Sequence, residues 1–365
     1  MNQPLSDSRL ISLDTMRGYT IAAMILVNFP GSDLYIYAPL QHSQWNGLSF
    51  TDLIAPTFLF IVGVSIALAY SKKKDGPKRP LYRKIIIRSV KIFAVGMFLN
   101  LLPDFDFSEL RYTGTLHRIA IVFLASAFLF LNSHWKQQAF LALFILVAYH
   151  MAMNMIPTPG YNRAMLDPGV NLAAWVDQQL LPGTMWQGNW DPEGILSTFP
   201  SIATCITGML AGRMLLSSNS PNRVANWLMS LGFVGLATGY FWGLGFPVNE
   251  NLWTSSFVMV TSGFASLLLG AVYFLVDILK RQKGTGPAVI MGANAIAVYV
   301  LADIWALVLY LLPIEGKTLN MHFVNWAITI GFDPPFASFC YALAFVIINY
   351  IPAYLLYKKK IFVKL

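Results

Sequence analysis

Ten long apolar runs constrain this chain more than any other feature of its sequence. A transmembrane helix needs about 20 mostly apolar residues to cross about 30 Å of hydrocarbon. Backbone polar groups cannot stay unpaired in lipid, and none of the runs alternates apolar and polar residues as a barrel strand does. We therefore predict an all-α fold, a polytopic integral membrane protein with about ten transmembrane helices. The runs lie at residues 11–30, 52–70, 85–102, 115–131, 135–156, 195–216, 225–244, 255–277, 288–312 and 336–357.

Composition supports a membrane protein and argues against several other classes. The 365 residues are 56% hydrophobic and only 12% charged, and the mean hydropathy is +0.57. Cys205 and Cys340 each lie inside an apolar run, which argues against a disulfide framework or a thiolate metal site. The five histidines include no pair spaced four residues apart. We predict neither a metal nor a haem, and a pairing of His150 with His117 or His322 is the remaining haem alternative.

The distribution of basic residues predicts which loops face the cytoplasm. The net charge is +8, but the basic residues occupy short loops between apolar runs, so they indicate topology and not binding to nucleic acid. Residues 71–91 contain nine Lys and Arg residues against the single acid Asp75. By the positive-inside rule this loop is cytoplasmic. Both chain termini are then cytoplasmic as well, and His42 lies on the outer face.

The loops on the opposite side are poor in Lys and Arg. The longest of them, at residues 157–194, contains "VNLAAWVDQQLL", which predicts a short amphipathic helix. The segment 321–332 is too short to span easily, and we interpret it as interfacial or re-entrant. No internal repeat is visible, so we treat residues 1–365 as a single transmembrane domain with an outer-face segment at 157–194. The outer loops carry Asp104, Asp106, Glu109, Asp167, Asp177, Asp191, Glu193 and Glu250.

Small and amide side chains within the runs predict helix packing. Glycines at GxxxG spacing, at 208 and 212 and at 235, 239 and 243, favour close contact with a helix of the same chain, while a homodimer interface stays open. The glycines of "GTGPAVIMGANAIAVYV" fit the same explanation. Asn28, Asn100 and Asn294 also lie within predicted spans, where hydrogen bonding between helices is the default expectation.

His42 begins the stretch "HSQWNGLSFTD", in which Trp45, Asn46 and Asp52 follow within ten residues. An isolated histidine at a membrane interface is more often structural than catalytic. This cluster, however, is of the kind that binds a polar ligand while a carboxylate orients the imidazole. Histidine titrates near neutrality, so it can act as general base or acid, and it can also carry an acyl group.

Charged residues inside the predicted spans form a second set of candidates. Arg17 lies near the cytoplasmic end of the first span and can pair with Asp14, one helical turn earlier. Arg118 begins a helix near the outer face, and Asp303 lies well inside the ninth span. Such charges indicate either buried ion pairs that fix helix packing or a lined substrate pocket.

Several motifs together resemble the heparan-alpha-glucosaminide N-acetyltransferase family, in unbroken order from Arg9 to Leu365. The patterns HxxWNGLxxxDLxxPxFxF and DPEGILxTxxS are not generic to membrane proteins. The resemblance implies a bacterial form, in an inner membrane, without the extra luminal domain of lysosomal members. The stretches that carry it are "RLISLDTMRGYTIAAMILVNFPG", "HSQWNGLSFTDLIAPTFLFIVGVSIAL", "GTLHRIAIVFL", "DPEGILSTFPSIATCITGMLAGRML", "FPVNENLWTSSFVMVTSGF", "MGANAIAVYV" and "YKKKIFVKL".

The resemblance also implies an activity and a set of site residues. Family members pass acetyl from cytosolic acetyl-CoA to the amino group of a terminal glucosamine across the membrane. The family's active-site histidine corresponds to His42 and its upstream asparagine to Asn28. Two departures bear on the acceptor: the loop between these residues is longer here, and a late histidine of the lysosomal enzyme is replaced by Ala302, beside Asp303. Further positions in shared motifs are Asp52, Arg118, Asp191, Glu193, Asn249 and Asn251.

We therefore expect an acetyl-CoA-dependent N-acetyltransferase acting on an amino sugar or glycan. His42, Asn28 and Asp52 are the predicted catalytic residues, and Arg17 is a candidate for the nucleotide of CoA. The predicted substrate-binding residues are Trp45, Asn46, Arg118, Asp191, Glu193, Asn249, Asn251 and Asp303. An amino-sugar permease, and an O-acyltransferase modifying a cell-envelope glycan, are the alternatives that the sequence leaves open.

Overall fold

The computed structural model describes residues 10–103, 105–311 and 316–363. Asp104, Leu312 at the end of the predicted ninth run, and the last two residues of the tail lie outside these ranges. Within them the chain is helical apart from turns and loops, and Arg111 and Gly183 form an isolated antiparallel β-bridge. The α-helices are α1 (Ile11–Asn28), α2 (Ile54–Tyr70), α3 (Lys78–Leu101), α4 (Thr115–Asn132), α5 (Trp135–Met155), α6 (Leu172–Leu180), α7 (Ile195–Leu215), α8 (Pro221–Gly243), α9 (Ser255–Val272), α10 (Thr285–Ala293), α11 (Ala295–Leu311), α12 (Leu319–Thr329) and α13 (Pro334–Lys358).

The all-α prediction is confirmed, whereas the count of ten spans is not. Seven helical stretches in the described ranges are long and apolar enough to cross a membrane, and a bent pair of helices could supply an eighth. Neither α1 nor α3 belongs to these seven, since α1 carries Asp14 and Arg17 and α3 has a strongly basic first half. The seven stretches are Thr51–Lys73, Thr115–Asn132, Trp135–Met155, Ile195–Leu215, Pro221–Gly243, Ser255–Ile278 and Pro334–Lys358.

The described residues form two compact units. The larger comprises Gln44–Leu48 and Pro56–Lys280, and the smaller comprises Leu10–Ser43, Ser49–Ala55 and the chain from Arg281 onward. The larger unit therefore contains most of α2 together with α3 to α9, and the smaller contains α1 and α10 to α13. That the whole chain acts as one domain stays a prediction.

Glycines set the helix spacing in the larger unit. A methyl group on Gly208 of α7 would lie 2.0 Å from the carbonyl oxygen of Phe60 on α2, and one on Gly63 of α2 would lie 2.0 Å from that of Cys205. Gly235 and its neighbours on α8 approach the backbone of α9 in the same manner. The predicted GxxxG faces therefore pack against helices of the same chain. Helices in lipid gain no hydrophobic free energy by associating, so close backbone contact has to supply the attraction.

The smaller unit corrects the prediction of a continuous ninth helix. The chain bends by 83° between α10 and α11. At the break, Asn294 leaves the helical region (φ −129°, ψ 38°). Its amide nitrogen donates to the carbonyl of Ile361 (3.0 Å), and its carbonyl accepts from the backbone N–H of Val363 (2.8 Å). Asn294 thus bonds the C-terminal segment and not a neighbouring helix, and hydropathy gave no sign of this because the apolar run is continuous.

Glycines also allow α10 to lie directly on α1. A methyl group on Gly18 would lie 1.7 Å from the carbonyl oxygen of Ala288, and one on Gly292 would lie 2.4 Å from that of Asp14. Of the glycines in the stretch that begins at Gly284, the packing explanation is therefore confirmed for Gly292 and not for Gly286, where a methyl group would meet no atom within 4 Å. The two predicted short helices are also present, as α6 in the outer-face segment and as α12, which is too short to span.

We expect Gly208→Ala to lower the thermal stability of the detergent-purified protein, because the added methyl group forces α2 and α7 apart. Overpacking of this kind costs about 1–3 kcal/mol. Gly286→Ala is the matched control, since a methyl group at Gly286 meets no atom within 4 Å. The comparison is made by the unfolding midpoint Tm of each variant, and equal midpoints would contradict the proposed spacing role.

Candidate active site

His42 and Asp52 lie side by side in the loop before α2. His42 Nδ1 is 2.9 Å from Asp52 Oδ1, and the imidazole is 57% exposed while the carboxylate is fully buried. Asp52 also accepts hydrogen bonds from the backbone N–H of Ser49 (2.7 Å) and from the hydroxyl of Ser43 (2.7 Å). A short 3₁₀ helix, Thr51–Leu53, sets the carboxylate at the entry of α2. The carboxylate is thereby fixed, and it fixes the histidine ring.

This contact decides which nitrogen of His42 can do chemistry. An imidazole that donates its Nδ1 proton to a carboxylate carries its lone pair on Nε2 when neutral. That lone pair can accept a proton or attack a carbonyl carbon. A histidine oriented by a buried carboxylate is the arrangement through which acyl-transfer enzymes keep the tautomer and ring angle of their base.

Trp45 and Asn46 contact other loops of the larger unit. The indole N–H of Trp45 donates to the carbonyl of Leu166 (3.0 Å), and its ring meets that of Trp190 edge to face at 5.1 Å. The amide oxygen of Asn46 accepts from the side-chain amide of Asn249 (3.2 Å). These two predicted binding residues therefore fasten a short loop to the outer-face segment and to the turn before α9.

Asn249 organises that turn. Its side-chain oxygen accepts from the backbone N–H of Leu252 (2.8 Å), and its own backbone N–H donates to the hydroxyl of Thr254 (3.1 Å). Thr254 is the N-cap of α9, where its hydroxyl also accepts from Phe257. Asn249 is fully buried, whereas Asn251 is half-buried in the same turn. Asn249 thus has a structural explanation that is complete without a ligand.

Arg111 joins two of the predicted binding residues. Its Nε and Nη2 hold the carboxylate of Asp191 in a bidentate contact at 2.8 and 2.7 Å, and Nη2 also donates to Glu193 at 2.6 Å. The hydroxyl of Thr113 donates to the same Asp191 carboxylate at 2.6 Å. Paired carboxylate and guanidinium groups with this geometry are among the strongest polar contacts in proteins.

The ion pair keeps both partners charged. Burial alone would raise the pKa of Asp191, but hydrogen bonds and charge from Arg111, with the Thr113 hydroxyl, outweigh it and hold the pKa below its usual value. Burial alone would lower the pKa of Arg111, and the two carboxylates raise it instead. The loop that carries Asp191 and Glu193 is therefore fixed to the segment before α4 at neutral pH.

Arg118 is buried and contacts neutral oxygen atoms and an aromatic ring. Its Nη2 donates to the carbonyl of Pro192 and to the hydroxyl of Ser197, and its guanidinium lies 4.7 Å from the ring of Trp253. In the part of the chain that the structure describes, no carboxylate forms a salt bridge with it, and its Nε has no hydrogen-bond acceptor. Trp253 adopts a left-handed backbone conformation (φ 51°), a costly state for a large side chain. Arg118 thus fastens the start of α7 to the turn before α9.

The remaining predicted site residues lie in the smaller unit. Asn28 is the last residue of α1 and is exposed. Arg17 pairs with Asp14 at 2.9 Å, as the spacing predicted. Asp303 lies in α11, half-buried, and forms no ion pair among the residues that the structure describes. The ion-pair alternative is therefore confirmed for Arg17 alone, and not for Arg118 or Asp303.

The fold and these contacts agree with a match to a known family. The sequence model of the family described as "Heparan-alpha-glucosaminide N-acetyltransferase, catalytic" matches residues 9–242. The chain belongs to this family. His42, Asp52, Arg118 and the pair Asp191 and Glu193 all fall within the matched residues, whereas Asn249, Asn251 and Asp303 fall beyond them.

Two curated relatives extend the match along the chain. Heparan-alpha-glucosaminide N-acetyltransferase of Mus musculus is 29% identical over 355 residues, covering 81% of this chain and 53% of that protein. The Homo sapiens protein of the same name is 29% identical over 352 residues, covering 80% of this chain and 52% of that protein. The chain thus spans about half the length of the curated relatives it matches.

Sequence reasoning missed Arg111 and Thr113, and it did not single out Asp177 from the other loop acids. A signal for Arg111 was present, because it is one of two arginines in loops that otherwise carry acids. A basic residue where Lys and Arg are scarce is best explained by a specific partner. Nothing in the sequence pairs it with Asp191, which lies 80 positions away.

Asp177 is a buried carboxylate of α6 that meets the start of α7. Its Oδ1 accepts from the backbone N–H of Ile195 (2.8 Å). A methyl group on Gly194 would lie 1.9 Å from Oδ2, so the carboxylate needs a glycine there. Burial is the largest of the effects that raise the pKa of Asp177 to about 7, and the negative charge of Asp191 raises it further. The Ile195 hydrogen bond and the positive charge of Arg118 lower this pKa and offset part of the rise.

We predict that the stability of the wild-type protein falls as the pH rises through this range. A carboxyl group whose pKa is raised from 3.8 to about 7 binds its proton more tightly in the folded state. Its contribution is complete below the unfolded pKa and is lost as the pH rises through the folded one. The measurement is Tm against pH for wild type and Asp177→Asn, in which the loss should be smaller. Asp167→Asn, at an exposed acid of the same segment, is the control, and equal slopes in all three proteins would contradict the prediction.

Proposed function

We propose that this protein is a membrane-embedded acetyltransferase that moves acetyl from cytosolic acetyl-CoA to the amino group of a glucosamine-type sugar at the outer face. Membership in the N-acetyltransferase family supports the reaction class. The contact of His42 Nδ1 with Asp52 is the observation that carries the mechanism, because it presents Nε2 as a base on an exposed ring. The names of the two curated relatives support a glucosaminide acceptor.

The proposed chemistry needs one base. A thioester is already activated, so the acceptor amine must lose a proton as its nitrogen bonds to the acetyl carbonyl carbon. His42 Nε2 takes that proton, and Asp52 stabilises the resulting imidazolium. The adduct then collapses by cleavage of the carbon–sulfur bond, and the CoA thiolate recovers the proton from His42. The products are an N-acetyl sugar and free CoA.

A two-step route uses the same residues. Nε2 of His42 attacks the thioester first, and CoA leaves as its thiolate. The acceptor amine then displaces the imidazole from the acetyl group, and its proton passes through the released Nε2 to the CoA thiolate by way of solvent. Asn28, at the end of α1, is proposed to donate to the acetyl carbonyl oxygen as negative charge develops there. Trapping of an acetylated protein, or a burst of CoA release before steady state, would distinguish this route from direct transfer.

Membrane topology follows from the same proposal. With both termini cytoplasmic and ten crossings, counting α1, α3 and the bent α10–α11 pair as spans, the loop of His42 faces outward. The expected location is a bacterial inner membrane. CoA then binds from the cytoplasmic side, where Arg17 is the proposed contact for its phosphates.

The proposed acceptor site draws on polar groups of the loops. Carboxylates and amides orient sugar hydroxyls and ammonium groups, and aromatic rings pack on sugar faces. A hydroxyl acceptor on a cell-envelope glycan would use the same base, so the identity of the product decides between N- and O-acetylation. Within the larger unit the proposed contacts are Trp45, Asn46, Arg118, Asp191, Glu193 and Asn251, with Asn249 supporting the turn that carries Asn251. Asp303, in α11 of the smaller unit, stays a separate prediction.

We expect His42→Ala to lower the rate of CoA release from acetyl-CoA and glucosamine by about 10²- to 10⁴-fold, the range for a positioned general base. Asp52→Asn should lower it as well, because the amide no longer stabilises the imidazolium. The measurement is free-thiol release by the protein in lipid nanodiscs, with mass spectrometry of the acetylated sugar.

His134→Asn is the matched control. His134 is an exposed histidine that caps α5, and asparagine preserves a good N-cap. The control should retain wild-type rate, and an unchanged Tm shows that each variant is folded. Full activity in His42→Ala would refute the catalytic assignment.

A further inference from the structure

Trp186 is an exposed aromatic residue held in one position by the Arg111 network. Its side chain is 66% exposed, yet the guanidinium of Arg111 lies 5.1 Å from its ring centre. Its backbone N–H donates to Asp191 Oδ2 at 3.1 Å. Arg111 is in turn held by Asp191 and Glu193. Both the backbone and the ring of Trp186 are thus fixed by buried ion pairs.

The loop around Trp186 is internally braced. Thr184 donates its hydroxyl to the carbonyl of Glu109 (2.7 Å) and its backbone N–H to that of Leu110 (3.3 Å). The backbone N–H of Gln187 donates to the carbonyl of Trp190 (3.1 Å). The side chain of Gln178 on α6 donates to the carbonyl of Asn189 (2.7 Å). An indole displayed on such a loop loses little conformational entropy when a ligand stacks on it.

Glu193 has a carboxylate oxygen that can accept further hydrogen bonds, and the same arginine, Arg111, contacts both Glu193 and Trp186. Oε2 of Glu193 accepts from Arg111, whereas among the described residues its Oε1 contacts the hydroxyl of Thr115 at a long 3.4 Å. The side chain is 21% exposed. A carboxylate oxygen can accept two hydrogen bonds, so Oε1 has room for an ammonium or hydroxyl donor of a ligand.

The charge of the surrounding loops indicates which ligand fits. Three segments of the larger unit lie against one another, namely those that join α3 to α4, α5 to α7 and α8 to α9. Arg111 of the first pairs with Asp191 of the second, and Leu172 of the second shares a hydrophobic cluster with Phe246 and Leu252 of the third. These segments, at residues 102–114, 156–194 and 244–254, contain eight acidic residues and two basic ones, Arg111 and Arg163. The formal excess is six negative charges, or five when Asp177 is protonated, and it attracts a cation and repels a sulfated polyanion.

We infer that Trp186 and Glu193 form a subsite for one ring of an unsulfated, amino-bearing oligosaccharide. The sugar ring stacks on the exposed indole face, and its ammonium or hydroxyl group donates to Glu193 Oε1. This inference rests on the proposed function, in that the bound oligosaccharide is the acetyl acceptor. A sulfated heparan chain binds this subsite weakly.

The test compares glucosamine, its disaccharide and an O-sulfated disaccharide as acceptors, with the protein in nanodiscs. In wild type we expect kcat/KM for the disaccharide to be about tenfold higher than for the monosaccharide. A tenfold ratio corresponds to the free energy of one good aromatic contact. Trp186→Ala should abolish that advantage, whereas Trp186→Phe should preserve much of it. Glu193→Gln should lower the ratio of kcat/KM for the plain disaccharide to that for the sulfated one. Added salt should lower the same ratio in wild type, because it screens the repulsion of the sulfate.

Trp175→Ala is the matched control. Trp175 is a partly exposed tryptophan of α6 in the same outer-face segment (37% exposed). Aromatic residues also anchor proteins at membrane interfaces, and an anchoring role would make the two alanine variants behave alike. Equal kcat/KM for monosaccharide and disaccharide in wild type, or equal losses in Trp175→Ala and Trp186→Ala, would overturn the subsite.

Direct binding separates this subsite from the proposed reaction. Calorimetric titration with the glucosamine disaccharide, without acetyl-CoA, should show binding to wild type that Trp186→Ala weakens. If no acceptor supports CoA release but this difference in binding is measured, the acetyltransferase proposal fails and the subsite stands. If CoA release occurs and Trp186→Ala binds and reacts as wild type does, the subsite fails and the acetyltransferase proposal stands.

Discussion

Lipid offers no partner for a backbone hydrogen bond, and this single constraint determines most of the structure. Every stretch that can cross a membrane must be helical, and helices surrounded by lipid gain no hydrophobic free energy by meeting one another. Association must come from close contact. Glycines such as Gly208, Gly63 and Gly18 provide it, by bringing one backbone against the next until a methyl group would not fit. Polar chemistry is consequently placed where the helices end.

Two polar assemblies occupy such ends, one in each unit. In the smaller unit, Asp52 is buried at the entry of α2 and orients His42. In the larger unit, Arg111 holds Asp191 and Glu193 beside the start of α4. Both use a buried carboxylate with all of its strong donors supplied by nearby loops. A buried charge of this kind is tolerated because it is fully hydrogen-bonded, and the cost of moving it makes the surrounding loops rigid.

The sequence predicted the helices well because apolar runs record the lipid constraint directly. It also placed Asp52 near His42, since ten positions within one loop allow few other arrangements. It could not supply the contact of Arg111 with Asp191, because those residues are 80 positions apart and no local pattern links them. The bend at Asn294 was equally hidden, because hydropathy does not register one side chain that bonds a distant backbone. The sequence therefore allowed helices and contacts within one loop to be predicted, but not polar contacts between residues far apart in the chain.

The hydrogen bonds of Asn294 have a consequence for the order in which this protein assembles. Its partners, Ile361 and Val363, are synthesised 67 and 69 residues later, after α11, α12 and α13. Until they emerge, the amide at the 83° bend lacks both of these bonds. The bend is thus completed late, by contacts of high sequence separation, which are the ones that form most slowly in folding. The smaller unit, which combines α1 with α10 to α13, therefore forms these contacts after all residues of the larger unit have been synthesised.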